Sequence, residues 1–372
     1  MSDPDKKCKK GLPKASQSAP DFKVTSSEET VSDVVEEVED KNQNKERKNS
    51  LNNDTQPKPK ERRLTPTISI ESVSTFLKNS ILPTEKSAEQ KKEEKMIVRP
   101  GICRLPLHEI PEFCLSLSGC GFLGSYHFGV VNCFLRNGKP VMSKLKRVSG
   151  VSAGSLVAAL LVLNPEKLPR ALDMLYTMAD ELNSLKFGAL TPGYYLNEKL
   201  IKVVEDYLPE DISAAENKLY VSLTAQDSRD NVLVKSFPTR EHLIKCLLAS
   251  CYIPIYSMGY AGQPPVIEDV AYIDGGYTNN LPDFKDIRTI TVSPFSGNAD
   301  ISPSDSSILF DWQMTLGTHT MKVNLQNIVR GAQALFPPKR SVLESYYEAG
   351  YKDAFKFLLE HHLIQRQAGT AV

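Results

Sequence analysis

The feature that most constrains the fold is a glycine-rich turn at residues 150–154, which reads Gly-Val-Ser-Ala-Gly. It lies between an apolar run typical of a strand and a helix-like stretch rich in Leu, Val and Ala. Gly150 and Gly154 lack a Cβ atom, so the strand and the helix can approach closely on either side of a sharp turn. The hydroxyl of Ser152 would then lie at the tip of the turn, at the N-terminus of the helix. This strand–turn–helix context makes Ser152 a candidate nucleophile.

The segments around this turn alternate between strand-like and helix-like patterns. A strand at residues 113–118 is followed by a helix at 125–135, and the serine turn then joins a second strand to a second helix. This β-α-β-α order predicts an α/β fold with a mostly parallel central sheet covered by helices on both faces. The later pattern predicts two helices (residues 169–185 and 198–207), a hairpin (219–224 with 232–237) and a third helix (240–251). Two short strands (271–273 and 289–292) and two outer helices (323–335 and 342–360) follow.

Composition divides the 372 residues into a charged N-terminal part and a folded part. Residues 1–96 are dominated by Lys, Glu, Asp, Ser, Asn and Pro, and such a segment buries too little apolar surface to offset its chain entropy. We therefore predict that residues 1–96 are disordered, that residues 97–365 form one large domain, and that residues 366–372 are a flexible tail.

Charge and cysteine usage exclude several classes of function. The chain carries 45 basic and 45 acidic residues, so its net charge does not favour nucleic acid as a partner. Its seven cysteines include no C-x-x-C pair and no Cys/His cluster with zinc spacing, which favours free thiols in a reducing compartment. The N-terminus has no apolar signal segment, and the apolar run after Ser152 is too short to span a bilayer. We expect a cytoplasmic protein without a metal or cofactor, whose membrane contact is peripheral.

A second glycine-rich turn, residues 119–124, follows the first strand and opens the first helix. In an open parallel sheet, such turns at the carboxyl ends of strands meet in one crevice. The turn contains Gly119, Cys120, Gly121 and Gly124, and its glycines leave successive backbone N–H groups uncovered. One interpretation is an oxyanion hole for acyl transfer. The other is a phosphate-binding loop, because the G-x-G-x-x-G spacing also fits, but this interpretation leaves the serine turn unexplained.

A third turn, Asp274-Gly275-Gly276, follows a short apolar strand. Aspartate before glycine is common in ordinary turns, but a carboxylate at a strand end beside the serine turn could also accept the serine proton. A Ser-His-Asp triad is the alternative, since three histidines follow Asp274 in the chain: His319, His361 and His362. Their positions beside or at the ends of helices favour packing or surface roles. The sequence therefore predicts a Ser-Asp pair.

The order and context of these turns resemble the patatin-like phospholipase domains. The resemblance covers residues 111–363. Further segments, at residues 292–297, 334–338 and 349–353, resemble the branch of the family that contains adipose triglyceride lipase and adiponutrin. This similarity implies a three-layer α/β/α patatin-like sandwich for residues 97–365, with a mostly parallel central sheet.

The resemblance also implies a site and a reaction. Ser152 and Asp274 would form a catalytic dyad, and the backbone of four residues would form the oxyanion hole: Gly119, Cys120, Gly121 and Ala153. The other glycines would shape the three turns: Gly124, Gly150, Gly154, Gly275 and Gly276. The reaction would be hydrolysis of long-chain carboxylic esters, triacylglycerol or phospholipid, through an acyl-enzyme at a lipid surface and without a cofactor.

Two positions depart from the wider family pattern. Patatins usually carry Arg or Lys where this chain has Leu123, and the leucine matches the triacylglycerol branch. The chain also ends soon after His362, without the long C-terminal extension by which larger lipases of this branch are thought to attach to lipid droplets. Attachment by that route is therefore not expected.

Two other functions stay open from the sequence. The domain could be a weakly active lipid-droplet regulator that binds acyl lipid or an α/β-hydrolase-fold co-activator, although a pure binder needs neither Ser152 nor Asp274. It could also be a lipid acyltransferase, in which another lipid alcohol displaces water from the acyl-enzyme. In each case we expect peripheral association with lipid droplets or membranes.

Overall fold

The computed structural model describes residues 106–305, 313–316 and 319–364. These residues form a mixed α/β fold with a mostly parallel central sheet, so the predicted fold class is confirmed. The segment predicted to be disordered, residues 1–96, and the predicted flexible tail, residues 366–372, lie outside the described residues.

The strands of the described residues form one large sheet and one hairpin. In chain order they are β1 (Phe113–Leu117), β2 (Leu145–Gly150), β3 (Leu219–Ala225), β4 (Asn231–Val234), β5 (Val266–Ile267), β6 (Val270–Asp274), β7 (Arg288–Val292), β8 (Gln313–Leu316) and β9 (His319–Lys322). The seven-stranded sheet has the order β5-β6-β3-β2-β1-β7, with β4 also paired to β3. Strands β3, β2, β1 and β7 are parallel, whereas β4, β5 and β6 pair in antiparallel fashion. Every residue of β1 and β3 is buried, as expected for a sheet covered on both faces.

The described residues contain every predicted helix in order, together with a short helix at Lys139–Ser143 that was not predicted. The helices are α1 (Gly124–Asn137), α2 (Lys139–Ser143), α3 (Ala153–Leu163), α4 (Leu168–Ser184), α5 (Leu196–Tyr207), α6 (Arg240–Ser250), α7 (Leu325–Leu335) and α8 (Arg340–Glu360). The predicted elements agree with these bounds to within a few residues, although β4 ends at Val234, short of the predicted Phe237. The short hairpin of β8 and β9 was not predicted, and it places His319 in a strand. Neither strand contains a Val, Ile, Phe, Tyr or Trp residue of the kind that marks a strand in the sequence.

Two strands of the large sheet end head to head along β3. Gly150, the last residue of β2, pairs with Val221, and Asp274, the last residue of β6, pairs with Leu223. Strand β4 occupies the opposite side of β3 at both positions. Because β2 is parallel to β3 and β6 is antiparallel to it, their carboxyl ends converge on Ser222 from opposite directions. Two residues of β3, roughly 7 Å, separate the two pairing positions.

Helix α8 crosses α1 at a pair of glycines. A Cβ atom at Gly129 would lie 2.0 Å from the carbonyl oxygen of Tyr347, and one at Gly350 would lie 2.1 Å from that of Tyr126. The Tyr126 hydroxyl also donates to Asp353 at 2.7 Å. The two helices therefore touch backbone to backbone. Because α1 begins directly after the glycine turn of residues 119–124, this crossing fixes the position of that turn.

We predict that Gly129→Ala lowers the free energy of unfolding by about 1–3 kcal/mol, because the added methyl group must push the two helices apart. Gly331→Ala is the matched control, since a Cβ atom there meets nothing within 4 Å. It should raise stability by about 0.5–1 kcal/mol, the difference in helix propensity between glycine and alanine. Urea unfolding followed by circular dichroism measures both changes. Equal effects of the two substitutions would contradict the close crossing.

Candidate active site

Ser152 occupies a strained turn between β2 and α3. Its backbone has φ 52° and ψ −128°, and a non-glycine residue in such a conformation costs about 1–3 kcal/mol. A Cβ atom at Gly150 would lie 2.4 Å from the carbonyl oxygen of Gly154, and one at Gly154 would lie 2.4 Å from that of Leu117. Both positions therefore require glycine. The sharp turn predicted for residues 150–154 is present, and it holds the serine at the start of a helix.

A buried hydroxyl group links this turn to the central sheet. The backbone N–H of Ser152 donates to the Ser250 hydroxyl at 2.8 Å, and that hydroxyl donates to the carbonyl oxygen of Ser222 at 2.9 Å. Ser250 is the last residue of α6 and is fully buried. It therefore ties the serine turn to β3 where the two strand ends converge. The sequence analysis did not identify Ser250, because a serine at the end of a helix has no distinctive spacing.

The Asp274 carboxylate lies beside Ser152 and is buried. It accepts a hydrogen bond from the backbone N–H of Gly276 at 2.7 Å, and the Ser152 hydroxyl lies close enough to lower its pKa. A Cβ atom at Gly275 would lie 2.2 Å from the carbonyl oxygen of Ser222, so the turn needs glycine there. Burial raises the pKa of Asp274 to about 6, against the opposing effects of the Gly276 hydrogen bond and the nearby Ser152 hydroxyl. Asp274 is therefore a stronger proton acceptor than an exposed aspartate, yet it is still ionised at neutral pH.

The glycine turn of residues 119–124 lies directly against the serine turn. A Cβ atom at Gly119 would lie 3.4 Å from the Cβ atom of Ser152, and one at Gly124 would lie 3.4 Å from that of Ala153. The structure thus brings together the three turns singled out in the sequence, and larger side chains at these glycines would separate them.

The backbone N–H groups of these turns differ in their hydrogen bonds. The N–H of Gly119 donates to the side-chain oxygen of Asn280 at 3.1 Å. Within the described ranges, no protein acceptor takes the N–H of the other three predicted donors: Cys120, Gly121 and Ala153. Uncovered N–H groups beside a serine hydroxyl can stabilise an oxyanion that forms there. Gly119 contributes instead to the shape of the turn.

Asn280 connects the glycine turn to a buried histidine. Its amide nitrogen lies 3.5 Å from the carbonyl oxygen of Gly119 and 3.2 Å from Nδ1 of His319. His319 is fully buried, and burial lowers its pKa to about 4, so the ring is neutral at pH 7. Among the described residues, no hydrogen bond joins a histidine to Ser152 or Asp274. The sequence analysis missed Asn280, although it closely follows the Asp-Gly-Gly turn.

Three other histidines pack away from Ser152 and Asp274. The ring of His361 contacts Phe357 with centroids 4.5 Å apart. The ring of His362 lies 6.0 Å from the ring of His108. His127 of α1 was not singled out in the sequence. Its Nε2 lies 2.8 Å from the carbonyl oxygen of Ser118, and burial lowers its pKa to about 4.

Ser152 opens onto an apolar cavity between α3, α4 and α5. The cavity encloses about 1060 Å³, including the part open to solvent, and its lining contains no charged side chain. It follows α3 from Ser152 to Leu160, about two helical turns or roughly 12 Å. Its lining also includes Tyr207 and Leu208, and the carbonyl oxygen of Tyr207 accepts from Asn164 at the C-terminal end of α3. This shape and lining fit an unbranched apolar chain whose polar end lies at Ser152.

The cavity also bears on two expectations from the glycine turn. A phosphate-binding loop is not supported, because no cationic side chain lines the cavity beside it. Leu123, at the position where patatins usually carry Arg or Lys, is fully buried against residues of α4 such as Tyr176 and Leu182. It does not line the cavity, so the apolar character of the cavity comes from other side chains.

The cysteines within the described residues are free thiols, as predicted: Cys114, Cys120, Cys133, Cys246 and Cys251. Cys251 lines the cavity near Ser152 and Asp274. Burial raises its pKa well above the usual range for a thiol, so Cys251 is protonated at neutral pH and is a poor nucleophile. The serine hydroxyl, not a thiol, is the candidate nucleophile of this site.

We predict that Asp274→Asn stabilises the fold at pH 8 by on the order of 3 kcal/mol, at 1.36 kcal/mol per pKa unit. The pKa of Asp274 is about 6 in the folded state against an ordinary value of 3.8, so ionised Asp274 opposes folding above pH 6. This cost disappears below pH 3.8, and the gap between variant and wild type should close there. Thermal unfolding at a series of pH values from 8 down to below 3.8 tests this, with Asp283→Asn on an exposed carboxylate as the control. A gap that does not change with pH would contradict the prediction.

Comparison with known proteins places the chain in a family. The family model described as patatin-like phospholipase matches residues 115–282. Human patatin-like phospholipase domain-containing protein 4 is 42% identical over 253 residues, which cover 67% of this chain and 97% of that protein. Rat patatin-like phospholipase domain-containing protein 2 is 34% identical over 253 residues, 68% of this chain and 52% of that protein. Mouse omega-hydroxyceramide transacylase is 36% identical over 248 residues, which cover 66% of this chain and 40% of that protein.

The chain therefore spans nearly all of the first relative but about half or less of the other two. The chain belongs to the patatin-like phospholipase family, in the branch of adipose triglyceride lipase and adiponutrin.

Proposed function

We propose that this chain is a lipid acyl hydrolase that cleaves long-chain carboxylic esters, triacylglycerol in preference to phospholipid, through a dyad of Ser152 and Asp274. One observation carries the proposal: the Ser152 side chain and the buried Asp274 carboxylate lie beside each other at one end of a cavity without charged side chains. Membership in the patatin-like phospholipase family supports a lipid substrate.

The mechanism follows from the contacts of the two side chains. Asp274 accepts the hydroxyl proton as Ser152 attacks the ester carbonyl, and the N–H groups of Cys120, Gly121 and Ala153 stabilise the oxyanion. Asp274 then returns the proton to the leaving alcohol, which leaves an acyl-enzyme. In the second half, Asp274 takes a proton from water, the hydroxide attacks the acyl carbonyl, and the fatty acid leaves as the proton returns to Ser152.

The cavity supports the choice of substrate. An acyl chain attached at Ser152 can extend along α3 towards Tyr207, in contact with leucine, valine and methionine side chains. Burying each methylene group contributes about 0.8 kcal/mol, so long chains are favoured over short ones. The lining offers no cation for a phosphate headgroup, which favours a neutral acylglycerol.

The proposed substrates lie in lipid aggregates, so the protein would act in peripheral contact with a droplet or membrane. No helix in the part of the chain that the structure describes is long and apolar enough to cross a membrane. A co-activator of the α/β-hydrolase fold is a further proposed partner, as the resemblance to the triacylglycerol branch implies. A purely regulatory role is less favoured, since lipid binding alone does not require the contact between Ser152 and Asp274.

Acyl transfer is the second candidate function. The relative named omega-hydroxyceramide transacylase is 36% identical to this chain. The two reactions share the acyl-enzyme and differ only in the alcohol or water that attacks it, so the same dyad serves both. Incubation of the protein with triolein and a competing lipid alcohol distinguishes them. Free fatty acid as the main product supports hydrolysis, and a new ester supports transfer.

We predict that Ser152→Ala and Asp274→Asn each lower ester turnover at least about a thousandfold, because each removes one half of the dyad. The assay is a panel of triacylglycerol, phospholipid and retinyl ester, with thermal unfolding to show that both variants fold. Triacylglycerol should be hydrolysed fastest. Turnover near the wild-type rate in either variant would overturn the dyad.

We predict that Asn280→Ala lowers kcat about 10- to 100-fold with little change in KM. The backbone N–H of Gly119 would lose the acceptor that holds the glycine turn of residues 119–124, which carries the proposed oxyanion donors. A soluble short-chain ester separates this effect from lipid binding. The control is Asn183→Ala, which removes an exposed hydrogen bond to the carbonyl oxygen of Pro338 and should leave kcat unchanged. An equal rise in KM would instead assign Asn280 to substrate binding.

A further inference from the structure

Helix α7 has its polar side turned towards the protein. Its single charged side chain, Arg330, forms a bidentate pair with Asp305 in which both side chains are about nine-tenths buried. The amide of Asn327 donates to the carbonyl oxygen of Ser296 at 2.8 Å, and its backbone N–H is capped by Asn324. Polar contacts therefore hold the middle of this helix in place, while Ala334 near its end packs in an apolar cluster.

The opposite side of α7 is apolar and faces solvent. Leu325, Ile328 and Val329 are 73%, 64% and 44% exposed, and Ala332 continues the same row. These residues follow the i, i+3, i+4, i+7 spacing of one helix face, which normally packs against a core. We call this row of four residues the α7 face.

The α7 face is continuous with the candidate active site. Ala334 and Leu335, at the end of the same helix, line the cavity that begins at Ser152. A Cβ atom at Gly121 would lie 2.1 Å from the carbonyl oxygen of Ala334, so the helix rests on the glycine turn. The hydroxyl of Tyr256, another lining residue, donates to the carbonyl oxygen of Leu335 at 2.5 Å.

Further exposed apolar side chains flank the cavity next to α7. Phe336, which is 48% exposed, lies within 3.8 Å of the Cβ position of Gly188. On either side of that glycine, Phe187 and Leu190 are 58% and 46% exposed. The segment with these residues leads directly into α5, whose Leu196 lines the cavity.

Several features favour a lipid surface over a protein partner. The α7 face has no hydrogen-bonding side chain, whereas a typical interface between proteins carries about ten direct hydrogen bonds. Two exposed lysines lie close to these side chains in the sequence: Lys186 directly precedes Phe187, and Lys339 follows Phe336 by three residues. Lysines beside a row of apolar side chains can keep their ammonium groups among lipid headgroups while their stems lie on apolar surface.

We propose that the α7 face, with Phe336, Phe187 and Leu190, is the surface that docks this protein on a lipid aggregate, so that the opening of the cavity meets the lipid. The proposal rests on the proposed function, because only a lipid-embedded substrate needs the cavity to face a lipid surface. It places an attachment surface within the domain that carries the candidate active site.

The test is flotation of the full chain with a triolein emulsion coated with phosphatidylcholine, in a Ser152→Ala background so that no turnover alters the lipid. Ile328→Asp should raise the lipid concentration for half-maximal binding roughly tenfold or more, because a carboxylate would have to enter the apolar layer. Leu325→Asp is a second variant of the same face. Leu359→Asp is the matched control, since Leu359 is 53% exposed on α8, outside the α7 face, and should bind as the parent does.

Each outcome decides the proposal separately from the catalytic one. The proposal is supported if both α7 variants lose flotation while their thermal unfolding is unchanged and Leu359→Asp still floats. This holds even if the wild type hydrolyses no ester. Flotation equal to that of the parent overturns it, as does a parent that does not float. A face that instead mediates self-association, or binds an α/β-hydrolase-fold co-activator, also overturns it. Light scattering detects the first case as self-association that Ile328→Asp loses. Pull-down with the purified co-activator detects the second case as binding that Ile328→Asp loses.

Discussion

The convergence of β2 and β6 on Ser222 is the constraint on which the rest of the site depends. It sets the last residues of two opposed strands two positions apart on β3, and the chain must turn sharply away at both ends. At one end the turn holds Ser152 in a left-handed conformation, and at the other it holds Asp274 against the serine hydroxyl. The Ser250 hydroxyl ties the Ser152 turn to the carbonyl oxygen of Ser222, which lies between the two pairing positions on β3.

The same convergence explains why the site is costly to fold. A serine at φ 52° and a buried carboxylate both oppose folding, and neither is needed for the sheet itself. Their cost is offset by features around them: the buried strands β1 and β3, the close crossing of α1 and α8, and the hydrogen bonds of Asn280. Strain concentrated at one point of an otherwise regular sheet is typical of a functional site.

Much of the fold could be predicted because its signals are local. Alternating strand and helix patterns gave the parallel sheet, and the glycines at residues 119–124 and 150–154 marked the turns correctly. The direction of β6 could not be predicted, since it depends on pairing with distant β3. Ser250, Asn280 and the burial of His319 also depend on contacts between segments far apart in the chain. The orientation of Leu123 was hidden for the same reason, because a side chain after a glycine turn can face either the cavity or the core.

The contact between Gly121 and the carbonyl oxygen of Ala334 makes the glycine turn of residues 119–124 and helix α7 move as one unit. Neither can shift without the other, because no side chain lies between the two backbones to absorb the movement. A lipid layer over this helix would also exclude water from the nearby cavity and lower the local dielectric constant. The hydrogen bonds proposed from Cys120 and Gly121 to a developing negative charge would be stronger in such surroundings. The rate of the chemical step would then depend on the physical state of the surface on which the protein rests.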